Sequence, residues 1–249
     1  MVGAIPFEVT DLRCACDQVL DYAANRIPIA VRLGNAFTIA SAASDPQYMR
    51  LLAHGGVNFP DGAPVVWAMN RNLPRRAKGS RVRGPSLFAD VLDKGRSQGI
   101  RHGFIGTTQQ TLDNLVKVSH IRYPGLRVGA TYAPPFAKSH NALIESITSA
   151  IDLLECDLVW IALGTPKQDF VAEQIAKISG RPCVGIGAAF DFAAGQVKEA
   201  PKIIQSTGLE WLYRLSQDPK RLWKRYTVGN IAFARQVLIS RKIDRSDEI

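Results

Sequence analysis

The sequence predicts an α/β fold: a mostly parallel sheet flanked by helices, Rossmann-like, with a helical, basic C-terminal appendage. Three observations point there. Short runs rich in Val and Ile, bounded by Gly or Pro, recur through residues 29–187, and such runs read as strands. Amphipathic stretches of crossover-helix length separate them, and that alternation implies parallel strands covered by helices. After Gly195 the strand signal stops, which places a core at 1–195 and an appendage at 196–249.

The strand candidates are "IAVRL" (29–33), "GFIG" (103–106), "LRVGATY" (126–132), "LVWIALG" (158–164) and "CVGIG" (183–187). Between them, "DPQYMRLLA" opens with Asp45-Pro46, a helix-start pair. "GPSLFADVLDKGRSQ", "TTQQTLDNLVKVSHI", "SHNALIESITSAIDLL" and "TPKQDFVAEQIAKIS" space their apolar residues for one helix face each. In the appendage, Asp218 is the predicted N-cap and Pro219 the first residue of a further helix. On that helix Arg221, Lys224 and Arg225 share a face, while Leu222 and Tyr226 share another beside Trp223. Basic residues interleaved with aromatics suit a membrane interface or a phosphate-bearing ligand, or else a solvated helix packed on the sheet.

A chain of 249 residues that is 46% hydrophobic and 21% charged can bury a sizeable core, so wholesale disorder is excluded. No apolar run is long enough to span a bilayer, and the N-terminus shows no basic region ahead of an apolar core. Four cysteines, Cys14, Cys16, Cys156 and Cys183, are too few for a disulfide scaffold and fit a reducing cytoplasm. The Cys14-x-Cys16 pair lacks a second pair or a nearby His to complete a metal site and reads as buried on an N-terminal helix. His54, His102, His120 and His140 fall in unrelated contexts and read as surface or loop residues. A net charge of +9 suggests a polyanionic partner: nucleic acid, anionic lipid or a phosphorylated substrate.

Four stretches can carry chemistry. In "NFPDGAPVVWA", Asp61 lies between Pro60 and Gly62 in a turn leading into a helix near Ala63. A carboxylate so held suits a positioned base, or simply a helix cap. In "RLGNAFTIA", Asn35 follows a strand end with Thr38 one turn on, where an amide can both donate to and accept from a sugar or phosphate. In "GTPKQDF", Gly164 permits close backbone approach, Thr165 is the expected cap and Pro166 the first helical residue. Lys167 and Gln168 then lie beside free N–H groups at the positive end of the helix dipole. In "GIGAAFDFAAG", Gly185-x-Gly187 lacks the third glycine of a dinucleotide fingerprint. Asp191, between Phe190 and Phe192, can accept hydrogen bonds from a stacked base. No Walker A, G-x-S-x-G or Asp-x-Asp pattern is present.

The order of these pieces is more specific than any one of them. "GNAFTIASAASDPQY", "FPDGAPVVWA", "RVRGPSLFADVL", "GFIGTT", "YPGLRVGATYAPPF", "LGTPKQDF", "GIGAAFDFAAGQVKEAPK" and "GLEWLYRLSQDPKRLWKRYTVGN" together resemble the WecG/TagA/CpsF family of bacterial glycosyltransferases. The resemblance implies an inverting, metal-independent enzyme that needs no cofactor. It would move a sugar from a UDP-sugar to a polyprenyl-diphosphate-linked saccharide in cell-envelope and exopolysaccharide synthesis. It implies Asp61 as catalytic base, and Asn35, Gln168 and Asp191 as donor contacts, with Gly164 beside them. Many members carry Thr where this chain has Leu33, a hydroxyl that Thr38 would replace. The appendage residues Arg214, Arg221, Lys224 and Arg225 would bind the acceptor diphosphate and the membrane. The implied setting is cytoplasmic, peripheral to the inner face of the bacterial plasma membrane.

Two rivals stand beside this reading. One is a Rossmann-type oxidoreductase binding NAD through Gly185 and Gly187. The other is a basic nucleic-acid-binding domain, which needs aromatics and cations on one open face. Here the basic aromatics cluster at the C-terminus and the candidate site is acidic and amide-rich, so no nucleic-acid partner is expected. The sequence is compatible with a homo-oligomer and fixes neither the oligomeric state nor the sugar, be it N-acetylmannosamine, its uronic acid or glucose.

Overall fold

The computed structural model describes residues 1–71, 73–137, 139–207 and 210–220, together with Trp223, Gly229 and residues 233–236. Six strands form one sheet: β1 (Ala30–Gly34), β2 (Val57–Pro60), β3 (Arg101–Gly106), β4 (Arg127–Tyr132), β5 (Leu158–Ala162) and β6 (Cys183–Gly185). Their order is β2-β1-β6-β5-β3-β4 and every pair is parallel. The fold is therefore the α/β, parallel-sheet class that the alternation predicts. Five strands fall on predicted runs. The sixth, β2, does not, because four residues ending in Pro60 carry almost no strand signal. It pairs only with β1 at the sheet edge, where a proline is tolerated.

Helices α1 (Leu12–Ala24), α2 (Ala36–Ala43), α3 (Pro46–His54), α4 (Ala63–Asn70), α5 (Gly84–Gly95) and α6 (Gln109–Arg122) occupy the first half. They are followed by α7 (His140–Ala150), α8 (Lys167–Ser179), α9 (Ala189–Ala193), α10 (Lys202–Thr207) and α11 (Glu210–Gln217). Asp45 caps α3 as predicted, accepting hydrogen bonds from the N–H groups of Gln47 and Tyr48. A helical stretch does open at Pro219 after Asp218.

Strand alternation sorts the core into two layers. Leu158 and Trp160 of β5 face one side, with Phe104 of β3 and residues of α1, α5, α6 and α9. Val159 and Ile161 face the other, against α7 and α8. Phe88 packs edge-on against Trp160 at 4.9 Å between ring centroids and also meets Phe104 and Phe190. Each fully buried side chain of this size contributes about 1.5–3 kcal/mol. A third cluster joins Val2, Ile5 and Phe7 to α2, α3 and α4.

Two expectations are corrected in this core. His102 is neither a surface nor a loop residue: it is fully buried on β3, where its Nδ1 accepts from Trp160 Nε1 at 3.1 Å. Burial pushes its pKa down to about 3, so it is neutral at physiological pH. The Cys14/Cys16 pair sits on α1 but is split, with Cys16 in the core and Cys14 exposed, since adjacent-but-one residues face different sides of a helix. Among the described residues no helix is long and apolar enough to cross a membrane.

Candidate active site

A cavity of about 670 Å³ opens at the C-terminal ends of β1, β3, β5 and β6. Open α/β sheets bind ligands at this edge, because the loops there leave helix N-termini and backbone N–H groups unpaired. Its wall carries Asn35, Asp61, Gly164, Gln168 and Asp191, and from α11 Arg214. The fold thus brings together all the predicted site residues within its described part save one, Thr38.

Asn35 caps α2: its Oδ1 accepts from the N–H groups of Phe37 and Thr38, at 3.0 and 3.3 Å. The Thr38 hydroxyl in turn accepts from the Asn35 N–H at 3.2 Å, closing a capping box. Thr38 is buried and does not line the cavity, so here it fixes Asn35 rather than facing a ligand. Leu33, where a hydroxyl was missed, does line it.

Asp61 leaves the end of β2 with its N–H donating to the Gly34 carbonyl at 2.8 Å. It is not a cap: Gly62 holds that position before α4, without a side-chain bond. The carboxylate accepts from Arg81 Nε at 3.3 Å, and 23% of its side chain remains accessible. Burial raises its pKa above the ordinary Asp value, against the opposing charges of Arg81 and Arg214. A carboxylate so tuned holds a proton more readily than a solvated one, which suits a general base.

The "GTPKQDF" turn differs in detail from its prediction. Pro166, not Thr165, stands at the N-cap position of α8, there is no side-chain cap, and the helix begins at Lys167. Lys167 Nζ donates to the Ala137 carbonyl at 2.9 Å and lies 4.8 Å from the Phe136 ring, away from the lining. Gln168 is 3% exposed, and its Oε1 accepts from the N–H groups of Gly164 at 3.2 Å and Gly187 at 3.0 Å. One amide therefore staples the loop after β5 to the loop after β6. The glycines of "GIG" serve this staple. A Cβ on Gly185 would come within 3.2 Å of both Gln168 Nε2 and Asp169 Oδ1, and Gly187 has φ +57.

Asp191 lies on α9 and accepts from the Thr107 hydroxyl at 3.3 Å. Thr107 also lines the cavity and holds φ +54, the left-handed region that costs a non-glycine residue about 1–2 kcal/mol. Phe192 lines the same wall, with the guanidinium of Arg214 4.7 Å from its ring centroid. Beneath the site, buried Asp169 accepts from the Tyr48 hydroxyl. Burial pushes Asp169 up to about 6, against the favourable pull of Tyr48, Arg32 and Gln168.

Sequence reasoning missed a charge network at the rim. The Val82 N–H donates to the Pro60 carbonyl at 2.8 Å, so residues 81–83 run alongside the end of β2. Arg81 and Arg83, on either side of buried Val82, both reach Glu210 of α11. Arg81 Nη2 donates to Glu210 Oε2 at 2.7 Å, and Arg83 Nε and Nη2 donate to the same carboxylate at 3.0–3.2 Å. Burial alone would raise the Glu210 pKa, but these hydrogen bonds hold it below the ordinary value. The period-two spacing in "RVRG" is the one sequence signal that marks this pair. Arg221, Lys224 and Arg225 lie outside the described residues.

Comparison with known proteins matches residues 1–247 to the "Glycosyl transferase WecG/TagA/CpsF family". A Bacillus spizizenii protein named N-acetylglucosaminyldiphosphoundecaprenol N-acetyl-beta-D-mannosaminyltransferase is 30% identical over 185 residues, covering 74% of this chain and 69% of the relative. With a match that spans almost its whole length, the chain belongs to the WecG/TagA/CpsF family of glycosyltransferases.

Proposed function

We propose that this enzyme transfers a sugar from a UDP-sugar, with inversion and without a metal, to a polyprenyl-diphosphate-linked saccharide during cell-surface polysaccharide synthesis. N-acetylmannosamine is the favoured sugar because the Bacillus relative's name specifies it; its uronic acid and glucose are the alternatives. The observation that carries the reading is Asp61, a carboxylate of raised pKa on the wall of the cavity that also holds Gln168 and Asp191.

In this mechanism Asp61 accepts the proton of the acceptor hydroxyl as its oxygen bonds to the anomeric carbon. The bond from that carbon to the UDP oxygen breaks on the opposite face, and UDP leaves with the electron pair. Asn35, Gly164, Gln168 and Asp191 hold the donor, Asp191 beside the uracil. Arg214 offers a fork that can grip a diphosphate, the positive charge a departing UDP requires. Residues 196–249 act as the appendage to the 1–195 core, with Arg221, Lys224 and Arg225 joining Arg214 in holding the acceptor at the inner face of the plasma membrane.

The test is a panel of UDP-sugars with a short-chain polyprenyl-diphosphate acceptor. Release of UDP with formation of the elongated lipid is expected for one sugar, and its loss in Asp61→Ala while UDP still binds. Transfer to no acceptor in the panel, or full turnover by the Ala variant, counts against the reading.

A further inference from the structure

We propose that Glu210, carried on the appendage helix α11, is a positioning residue for the transfer reaction, holding Arg81 back from full engagement with Asp61. The role rests on the reading of Asp61 as the base. Arg81 is shared unequally: its Nη2 lies 2.7 Å from Glu210, while its Nε lies 3.3 Å from Asp61. Glu210 cannot follow Arg81 toward the base, because Arg83 grips both of its carboxylate oxygens. Arg83 is itself tied to the exposed Glu199 at 2.8 Å, so the anchor belongs to a charge network rather than to one contact.

Remove the Glu210 carboxylate and, among the described residues, the Arg81 guanidinium has one anionic partner left, Asp61. Guanidinium and carboxylate then favour a bidentate pair. Such a pair lowers the proton affinity of Asp61 and occupies the lone pairs that must receive the acceptor's proton. The charged groups bearing on Asp61 are Arg81 from the segment before α5, and Glu210 and Arg214 from α11. Glu210 alone among them favours the protonated form. The appendage helix therefore delivers to the base both a cation, Arg214, and the anion that keeps another cation partly away.

The experiment is the pH dependence of kcat for the full chain and for Glu210→Gln, with Asp61→Asn as reference. In Glu210→Gln the acid limb is expected to move down by roughly one pH unit, the range of an added ion pair on a carboxylate. Plateau kcat falls about tenfold as the base weakens, while KM for the UDP-sugar stays within about twofold because Asn35, Gly164, Gln168 and Asp191 belong to the core rather than to α11. Glu210→Asp keeps the charge but draws the carboxylate back by one methylene. It should shift the limb the same way by less, and it decides the matter if the Gln variant does not fold. A merely structural Glu210 would lower kcat or stability with the acid limb in place, and that result overturns the proposal. Retained turnover in Asp61→Asn overturns the base reading and this proposal with it. A dead Asp61→Asn beside an unmoved limb in both Glu210 variants overturns this proposal alone.

Discussion

At the scale of single residues, Asp61 and Asp169 are carboxyl groups that burial drives above the ordinary Asp pKa, and the sign of the consequence is the same for both. A raised folded-state pKa contributes stability that is fully present below the unfolded value, near 3.9, and lost as pH rises through the folded value. For Asp61 the ionised form that the proposed base requires is therefore disfavoured by the fold at neutral pH. Asp61→Asn should raise Tm at pH 7, since Arg81 keeps Glu210 as partner, while turnover falls by about 10²–10⁴. A calorimetric scan showing the Asn variant less stable than wild type at pH 7 would contradict this. For Asp169 the window is explicit, from about 3.9 to the folded value of about 6. Relative to Asp169→Asn, the wild type should lose about 3 kcal/mol as pH rises across that window and nothing further above it. Urea midpoints of the two proteins at closely spaced pH values measure the difference, and parallel curves would remove the assignment.

At the scale of elements, Gln168 extends the β5–β6 pairing into the loops beyond it, holding the Gly164 and Gly187 N–H groups on one amide oxygen. Gln168→Ala leaves the N–H groups of Gly164 and Gly187 without their acceptor. The expected cost is about 1–3 kcal/mol for two hydrogen bonds lost at the cavity wall, where water can reach the freed N–H groups. With both loops loosened, KM for the UDP-sugar should rise more than kcat falls. An unchanged urea midpoint together with an unchanged KM would show that the staple is dispensable. The helices were legible because their signals are local. Asp45-Pro46 announces α3, and the apolar spacing of "GPSLFADVLDKG" announces α5. Strand β2 was not, because its assignment comes from pairing with β1 and not from its own four residues. The same division runs through the site. Asn35, Asp61 and Gln168 stand at strand ends and helix starts, where position in the chain already indicates exposure to a cleft. Arg81, Arg83 and Glu210 were invisible in their roles because their meeting spans more than 120 residues. Thr165 failed as a cap because Pro166 takes the N-cap position in the structure.

At the scale of the whole molecule, a net charge of +9 must be carried somewhere, and its location determines what the protein meets. From residue 71 to residue 83 there are six Arg or Lys side chains and no Asp or Glu. Arg81 and Arg83 are consumed by the network with Asp61 and Glu210, but Arg71, Arg75, Arg76 and Lys78 are exposed. Trp67, 60% exposed on α4, lies beneath the Arg71 guanidinium, 6.0 Å from it. A surface of this composition, in an enzyme whose proposed acceptor is embedded in lipid, favours attachment to an anionic bilayer. Each cation near such a surface is worth about 1 kcal/mol. Replacing Arg75, Arg76 and Lys78 together by Ser should weaken partitioning onto vesicles rich in anionic lipid by about a hundredfold. Charge reversal at Arg221 and Arg225 in the appendage should weaken it as well. The attraction is screened over about 10 Å at 0.1 M salt and about 3 Å at 1 M, so the wild type should leave the vesicles as salt rises. Neutral vesicles should retain little of it at any salt concentration. Sedimentation with vesicles of both compositions separates these cases. Binding that ignores lipid charge and salt would mean that the basic surface serves another purpose, and binding to oligonucleotides in preference to vesicles would identify that purpose as nucleic acid.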